Sequence, residues 1–139
     1  MSEIVKCPFC IIQSRIIKSN DLAILFYSNP HITEGHLLVC PKRHVEEPWE
    51  LTEKEILYIF SLIFFAEKKL LGKIGGGFDI RQNYRPFMKQ DKVKVDHVHF
   101  HIIPRTYEDK IYQVSEKNDN ELWKSLSDEE SDNVRKLIQ

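Results

Sequence analysis

The chain has 139 residues, of which 42% are hydrophobic and 11% aromatic, which is room and apolar material for one domain with a real core. With 29% charged residues and 5 Gly, neither a fibrous chain nor disorder throughout fits. The formal net charge is −1; residues 1–107 carry 15 Lys/Arg against 12 Asp/Glu and residues 108–139 carry 5 against 9, an imbalance too weak for a nucleic-acid-binding stripe.

The opening MSEIVKCPFC lacks the basic stretch, apolar run and small-residue cleavage site of an export signal, so export is not expected. Three cysteines, two of them as Cys7-Pro8-Phe9-Cys10, argue against a disulfide framework. They point to a reducing, cytoplasmic setting in which Cys-x-x-Cys does metal or redox work. Leu22–Tyr27, bounded by Asn20-Asp21 and Ser28-Asn29-Pro30, reads as a buried strand, and His36–Cys40, stopped by Pro41, as a second. Thr52 and Glu55 form a capping-box signature, followed by Ile56, Ile59, Phe60, Ile63, Ala66, Leu70 and Ile74 at helical spacing. This predicts one long helix ending at the three glycines 75–77. Tyr58, Phe64 and Phe65 widen its apolar stripe beyond one core-facing row, which suggests a partner subunit, the alternative being a helix sunk deep in its own fold. The nearly apolar run within it, Ile56 to Ala66, spans 11 residues, well short of the roughly 20 that cross a bilayer.

Phe78–Asn83 reads as a third strand, Tyr84–Lys94 as a basic loop, and Val95–Ile103 as a last strand ended by Pro104. The charged tail carries a second capping signature, Ser127 to Glu130, predicting a helix over Asp128–Ile138 docked through Val134 and Leu137. Residues 1–107 thus read as one domain and 108–139 as an extension packed on it. The element order lacks regular strand–helix alternation, so the expected class is antiparallel α+β rather than a doubly wound parallel sheet.

Side chains alternate across a strand, so His97, His99 and His101 share one face, roughly 7 Å apart along the row, while Val98, Phe100 and Ile102 take the other. Three consecutive same-face imidazoles bring many donors and acceptors to satisfy and no packing gain, which argues for chemistry. Metal binding is one such chemistry, but the further carboxylates or histidines of cupin-like and metallo-hydrolase sites are not found at their spacings. Nucleophilic attack on phosphorus by a neutral imidazole, with its neighbours donating to the phosphoryl oxygens, is the other.

His97-Val98-His99-Phe100-His101-Ile102-Ile103 resembles the signature of the histidine triad family, and Gly35-His36-Leu37-Leu38-Val39-Cys40-Pro41-Lys42-Arg43-His44 is similar to that family's upstream stretch. Glu50–Glu55, Phe78-Asp79-Ile80 and Ile103-Pro104-Arg105 extend the likeness over roughly residues 7 to 107. The resemblance implies a five-stranded antiparallel sheet with a long helix, paired as a homodimer. It also implies hydrolysis or transfer of nucleotidyl groups through a covalent nucleotidyl-histidine. On that pattern His99 is the nucleophile, His101 contacts the phosphate oxygens, and the backbone carbonyl of His97 holds the His99 ring.

Two departures stand out. Ser28, with Asn29 beside it, falls where the family has Asp or Asn for the ribose. The segment Tyr84–Asp96 replaces a shorter glycine-containing loop that bears a hydroxyl near the phosphates. Asn83, Arg85 and Lys94 are accordingly expected to bind the nucleotide, Arg85 and Lys94 near the leaving group. Arg85, Lys89, Lys92 and Lys94, with Arg81 just before, would neutralise a polyphosphate there.

Cys7 and Cys10 supply half a tetrahedral zinc site, and in the family branches that share the pair the other ligands correspond to His44 and His97. The implied zinc is structural; a redox pair, or two buried thiols beside an unmetallated His44, are the alternatives. Cys40 reads as a small core residue. The functions that follow are a nucleotide hydrolase for dinucleoside polyphosphates or phosphoramidates, a nucleotidyltransferase using the same intermediate, or a zinc-stabilised nucleotide-binding protein without turnover. Membrane or specific nucleic-acid partners are not expected.

Overall fold

The computed structural model describes residues 7–91 and 94–139; the N-terminal hexapeptide and Lys92 of the basic loop lie outside them. The two apolar runs form β2 (Ala23–Tyr27) and β3 (Leu37–Pro41), antiparallel in register from Ala23↔Pro41 to Tyr27↔Leu37. Between them the chain turns through Gly35 at φ 79°, where a Cβ would meet Ile74 at 3.1 Å and Pro104 at 3.3 Å, so a side chain fits neither the backbone nor the space.

The capping box forms as expected. Glu55 N–H donates to Thr52 Oγ1 (3.1 Å) and Thr52 N–H to Glu55 Oε1 (3.0 Å), starting α1 (Glu53–Leu70). Glu55 also takes a forked hydrogen bond from Arg43 (2.8 and 3.2 Å), which holds its carboxylate below the usual range and pins the segment after β3 to the start of the helix. The helix is shorter than its apolar periodicity suggests: it stops at Leu70, and the chain reverses through Gly72 at φ 78°. Ile74 belongs to the turn and packs beside Gly35.

The third strand is β4 (Gly77–Arg81), and β5 (Phe100–Arg105) lies between it and β3. β5 starts five residues later than expected and runs through Pro104. Val98 N–H bonds the carbonyl of Val45, outside the sheet, so 95–99 approach the strand as a loop. Pro104 lies beyond the last β3 partner of β5, where a missing N–H costs nothing, and its carbonyl accepts from Thr33 Oγ1 at 2.9 Å. Both the Phe78–Asn83 and the Val95–Ile103 expectations are thus right in kind and displaced at their ends. The fifth strand implied by the resemblance is β1 (Ile16–Ser19), an exposed edge strand, completing the all-antiparallel order β1-β2-β3-β5-β4.

α1 covers one face of the sheet, burying Ile59, Leu62, Ile63 and Ala66 against Ala23, Leu25, Leu37, Val39 and Ile102; each fully buried Leu or Ile contributes about 1.5–3 kcal/mol. The opposite face packs Phe26, Leu38 and Cys40 under Phe9 of the N-terminal segment, which confirms Cys40 as a core residue. Leu57 and Phe64 on α1 are exposed at 69% and 55%.

The tail begins with α2 (Lys110–Val114), tied to the sheet by Arg105, which pairs with Asp79, Asp109 and Glu116. After a 3₁₀ segment (Glu116–Leu122), α3 (Asp128–Ile138) forms at the expected residues, with Ser127 Oγ accepting from Glu130 N–H. Its expected docking is not found: Val134 is 47% and Leu137 85% exposed. The ion pairs that anchor the tail end at Glu116, and α3 carries too few apolar residues to cover a face of the sheet by itself. Among the described residues no helix is long and apolar enough to cross a membrane.

Candidate active site

The three triad histidines sit on the Phe9 side of the sheet, away from α1; Phe9 meets His97 and His99 edge-on at 6.0 and 5.0 Å between ring centroids. His97 and His99 are buried and His101 half-buried.

Their protonation follows from partners that can act in only one direction. The carbonyl of Pro41 must accept, so His97 Nε2 (2.8 Å) carries the proton and Nδ1 is bare. The carbonyl of His97 likewise takes the proton of His99 Nδ1 (2.7 Å), leaving the lone pair of His99 on Nε2. A fourth histidine, His36, extends the logic. Ile32 N–H donates to His36 Nδ1 (3.1 Å), so neutral His36 carries its proton on Nε2 and gives it to His101 Nδ1 (2.9 Å). Neutral His101 then bears an N–H at Nε2. A bare imidazole nitrogen on His99 and an N–H on His101 stand side by side, with ring centroids 4.9 Å apart.

Burial keeps these rings neutral. It lowers His36 to about 4 and His101 to about 3, and the nearby cationic Arg81 adds to both shifts, as does repulsion from neighbouring imidazoles whenever one of them is protonated. His99 is also lowered by burial, against the opposing pull of its bond to the His97 carbonyl.

Two cavities, each about 470 Å³, meet at His99 and His101. One is lined by Phe9, Leu38, Ser28 and Asn29, an apolar floor with a hydroxyl and an amide. The other is lined by Arg81, Asn83, Tyr84, Arg85 and Lys94, together with Glu46, Glu47 and Asp96. Ser28, Asn29, Asn83, Arg85 and Lys94 therefore all border the histidine cleft. Lys94 is not free there: its ammonium is held by Asp96 (2.7 Å) and by the carbonyl of Met88.

On the far side of His97 lies the cysteine pair. Cys7 Sγ is 3.3 Å and Cys10 Sγ 3.5 Å from His97 Nδ1, and Cys10 Sγ is 3.3 Å from His44 Nδ1. The four ligand atoms of Cys7, Cys10, His44 and His97 lie within 4.8 Å of one another, a set able to hold a metal ion. Tetrahedral zinc with ordinary bond lengths separates a sulfur from a nitrogen ligand by about 3.6 Å. The donors fit: the His97 nitrogen facing the sulfurs is the bare one, and its ring is oriented by a carbonyl on the other side.

Sequence reasoning placed His97, His99, His101 and the cysteine cluster correctly in space but missed His36 as a working part. The available signal was alternation, which puts His36 on the same face as Leu38 and Cys40.

A five-stranded antiparallel sheet carrying this histidine row on the face opposite its long helix defines a histidine-triad fold. The HIT domain model matches residues 11–108, and the chain belongs to that family. It is 31% identical to the adenosine 5'-monophosphoramidase hnt1 of Schizosaccharomyces pombe, over 76% of this chain and 78% of that protein. It is 29% identical to a bis(5'-adenosyl)-triphosphatase of Dictyostelium discoideum, over 95% and 91%. Among solved structures, a HIT family protein from Bacillus anthracis superposes with a TM-score of 0.71 at 25% identity, covering 96% of this chain and 95% of that one.

Proposed function

We propose that the chain is a nucleotide hydrolase that cleaves a nucleotidyl phosphoanhydride or phosphoramidate through a nucleotidyl-His99 intermediate. One observation carries the reading: the hydrogen bonds leave His99 Nε2 bare beside the N–H of His101, where two cavities meet. The relatives named as a phosphoramidase and a triphosphatase support a nucleotide as substrate.

In the first step the lone pair of His99 Nε2 forms a bond to phosphorus, and the bond from phosphorus to the leaving group breaks with its electron pair on that group, a phosphate departing as the anion and a phosphoramidate nitrogen taking a proton from solvent to depart as the neutral amine. The His99 ring becomes cationic, and the carbonyl of His97, already accepting its Nδ1–H, stabilises that charge. His101 Nε2–H donates to a non-bridging oxygen. In the second step water attacks, the N–P bond breaks, its electrons return to His99, and the water proton passes to solvent. Ser28 and Asn29 lie where a ribose would be met, and Asn83, Arg85 and Lys94 on the leaving-group side.

Zinc held by Cys7, Cys10, His44 and His97 would supply a fixed structural link between the N-terminal segment and the chain entering β5. The free thiols suit a reducing, cytoplasmic setting. Leu57 and Phe64 are the apolar groups through which α1 would meet a second copy in a homodimer. Residues 1–107 act as the catalytic domain in this reading and 108–139 as an extension of it.

The test is turnover of a diadenosine polyphosphate and of adenosine phosphoramidate by wild type and by His99→Ala. Hydrolysis by wild type and a loss of several orders of magnitude in the variant are expected. Adenylyl transfer to added phosphate in place of hydrolysis would make the chain a transferase, and tight binding without turnover a binding protein.

A further inference from the structure

Alternation on β4 places a cation on the histidine face. Arg81 is the β4 residue opposite His101 in the antiparallel register, so both side chains stand on the same face of the sheet. Arg81 lines the cavity that also holds His99, His101, Asn83 and Tyr84.

The charges around it are already partly committed. Lys94, the loop cation nearest the triad in sequence, is neutralised by Asp96 at 2.7 Å. Asp79 is the carboxylate beside Arg81, but the oxygen that approaches Arg81 at 3.6 Å is the one bound by Arg105 at 2.6 Å. Arg81 is therefore loosely paired, 39% exposed, and carried on a strand rather than on the long loop. Arg85, for its part, has no carboxylate within 4.0 Å among the described residues, but it belongs to that loop. The field of Arg81 reaches the cleft, since it helps to lower both His36 and His101.

A guanidinium on a fixed strand beside the phosphate-contacting imidazole offers two parallel N–H donors, a fork that matches phosphate oxygens. A neutral amine leaving group gains nothing from it, whereas a nucleoside di- or triphosphate carries several negative charges into it.

We propose that Arg81 is the specificity-determining residue of the leaving-group side, binding the phosphate chain of a polyphosphate leaving group and biasing the enzyme toward dinucleoside polyphosphates over phosphoramidates. The proposal rests on the assignment of His99 as nucleophile, and it deepens that reading by naming the substrate class.

The experiment compares wild type, Arg81→Gln and Arg81→Lys on diadenosine triphosphate and on adenosine phosphoramidate, and titrates each protein with inorganic tripolyphosphate by calorimetry. In Arg81→Gln the ratio of kcat/KM for the triphosphate to that for the phosphoramidate should fall roughly ten- to a hundredfold, the size of a lost hydrogen-bonded charge contact. Tripolyphosphate binding should weaken by about tenfold or more. Arg81→Lys, which keeps the charge and loses the fork, should fall between. An unchanged ratio, or tripolyphosphate binding equal in wild type and Arg81→Gln, overturns the proposal. Wild type that hydrolyses neither compound refutes the hydrolase reading instead, and the tripolyphosphate titration then still decides the role of Arg81.

Discussion

Replacing His36 by Leu removes a ring that is 4% exposed and holds two partners: the N–H of Ile32 at 3.1 Å and Nδ1 of His101 at 2.9 Å. Leucine fills much of the volume but satisfies neither, and each buried group left unpaired costs about 1–3 kcal/mol, so the fold should lose ~2–6 kcal/mol. That is a large share of a domain whose total is about 5–15 kcal/mol. Catalysis should suffer separately. Without the His36 proton, Nδ1 of His101 is free to carry one itself, and the Nε2–H that would meet the phosphate is no longer enforced; kcat/KM should fall by roughly ten- to a hundredfold. His36→Gln separates the two effects, because an amide can accept from Ile32 and donate to His101 at once. Urea denaturation and steady-state kinetics on the three proteins read both quantities. Wild-type kcat/KM in His36→Leu, or a His36→Gln variant as slow as His36→Leu, would refute the relay.

Other outcomes follow from the same geometry. Protein purified without chelator should contain about one zinc per chain, and a Cys7→Ser, Cys10→Ser double variant should contain none and unfold at lower temperature; metal analysis without zinc in either protein sinks the assignment. His36 and His101, ordinarily near 6.5, are depressed to about 4 and about 3 in the fold. Their contribution to stability is therefore fully present above pH 6.5 and is lost as pH falls toward 4 and below. Burial lowers the nucleophile His99 as well, so the acid limb of kcat/KM should lie below 6.5, and a midpoint at or above 6.5 would show that the rings are not held neutral by burial. Thr52→Ala should cost about 1 kcal/mol by removing the cap of α1, read from the shift in urea midpoint, and a change within error would mean that Glu55 and Arg43 hold the helix start without it.

The parts of the molecule legible in its sequence are those written in side-chain chemistry with a simple period. Alternation grouped the three imidazoles, although only His101 lies on β5 and His97 and His99 reach the cleft from the loop before it, and the Thr52–Glu55 pair marked the start of α1 to the residue. Elements set by tertiary context were harder. β1 has four exposed residues and no alternation of burial to betray it. The end of α1 was hidden because Ile74 continues the helical spacing by coincidence while serving the turn at Gly35. Val134 and Leu137 have the spacing of a docking face, yet nothing in a local pattern says whether a groove awaits them. In the cleft, cation count misled: Lys94 is the basic residue closest in sequence to the triad, but Asp96, two residues on, takes its charge. The proton relay through His36 depends on a contact between residues 65 apart in the chain, which no local pattern expresses.

The central claim is that His99 becomes covalently nucleotidylated during turnover. Rapid mixing with diadenosine triphosphate, a quench in alkali where phosphoramidate bonds survive, and mass spectrometry of the digested protein test it directly. The predicted result is a transient adenylyl group on the peptide spanning 95–105, localised to His99 by fragmentation and absent from His99→Ala. Adenylyl on His101, or steady hydrolysis with no labelled histidine at any mixing time, would contradict it.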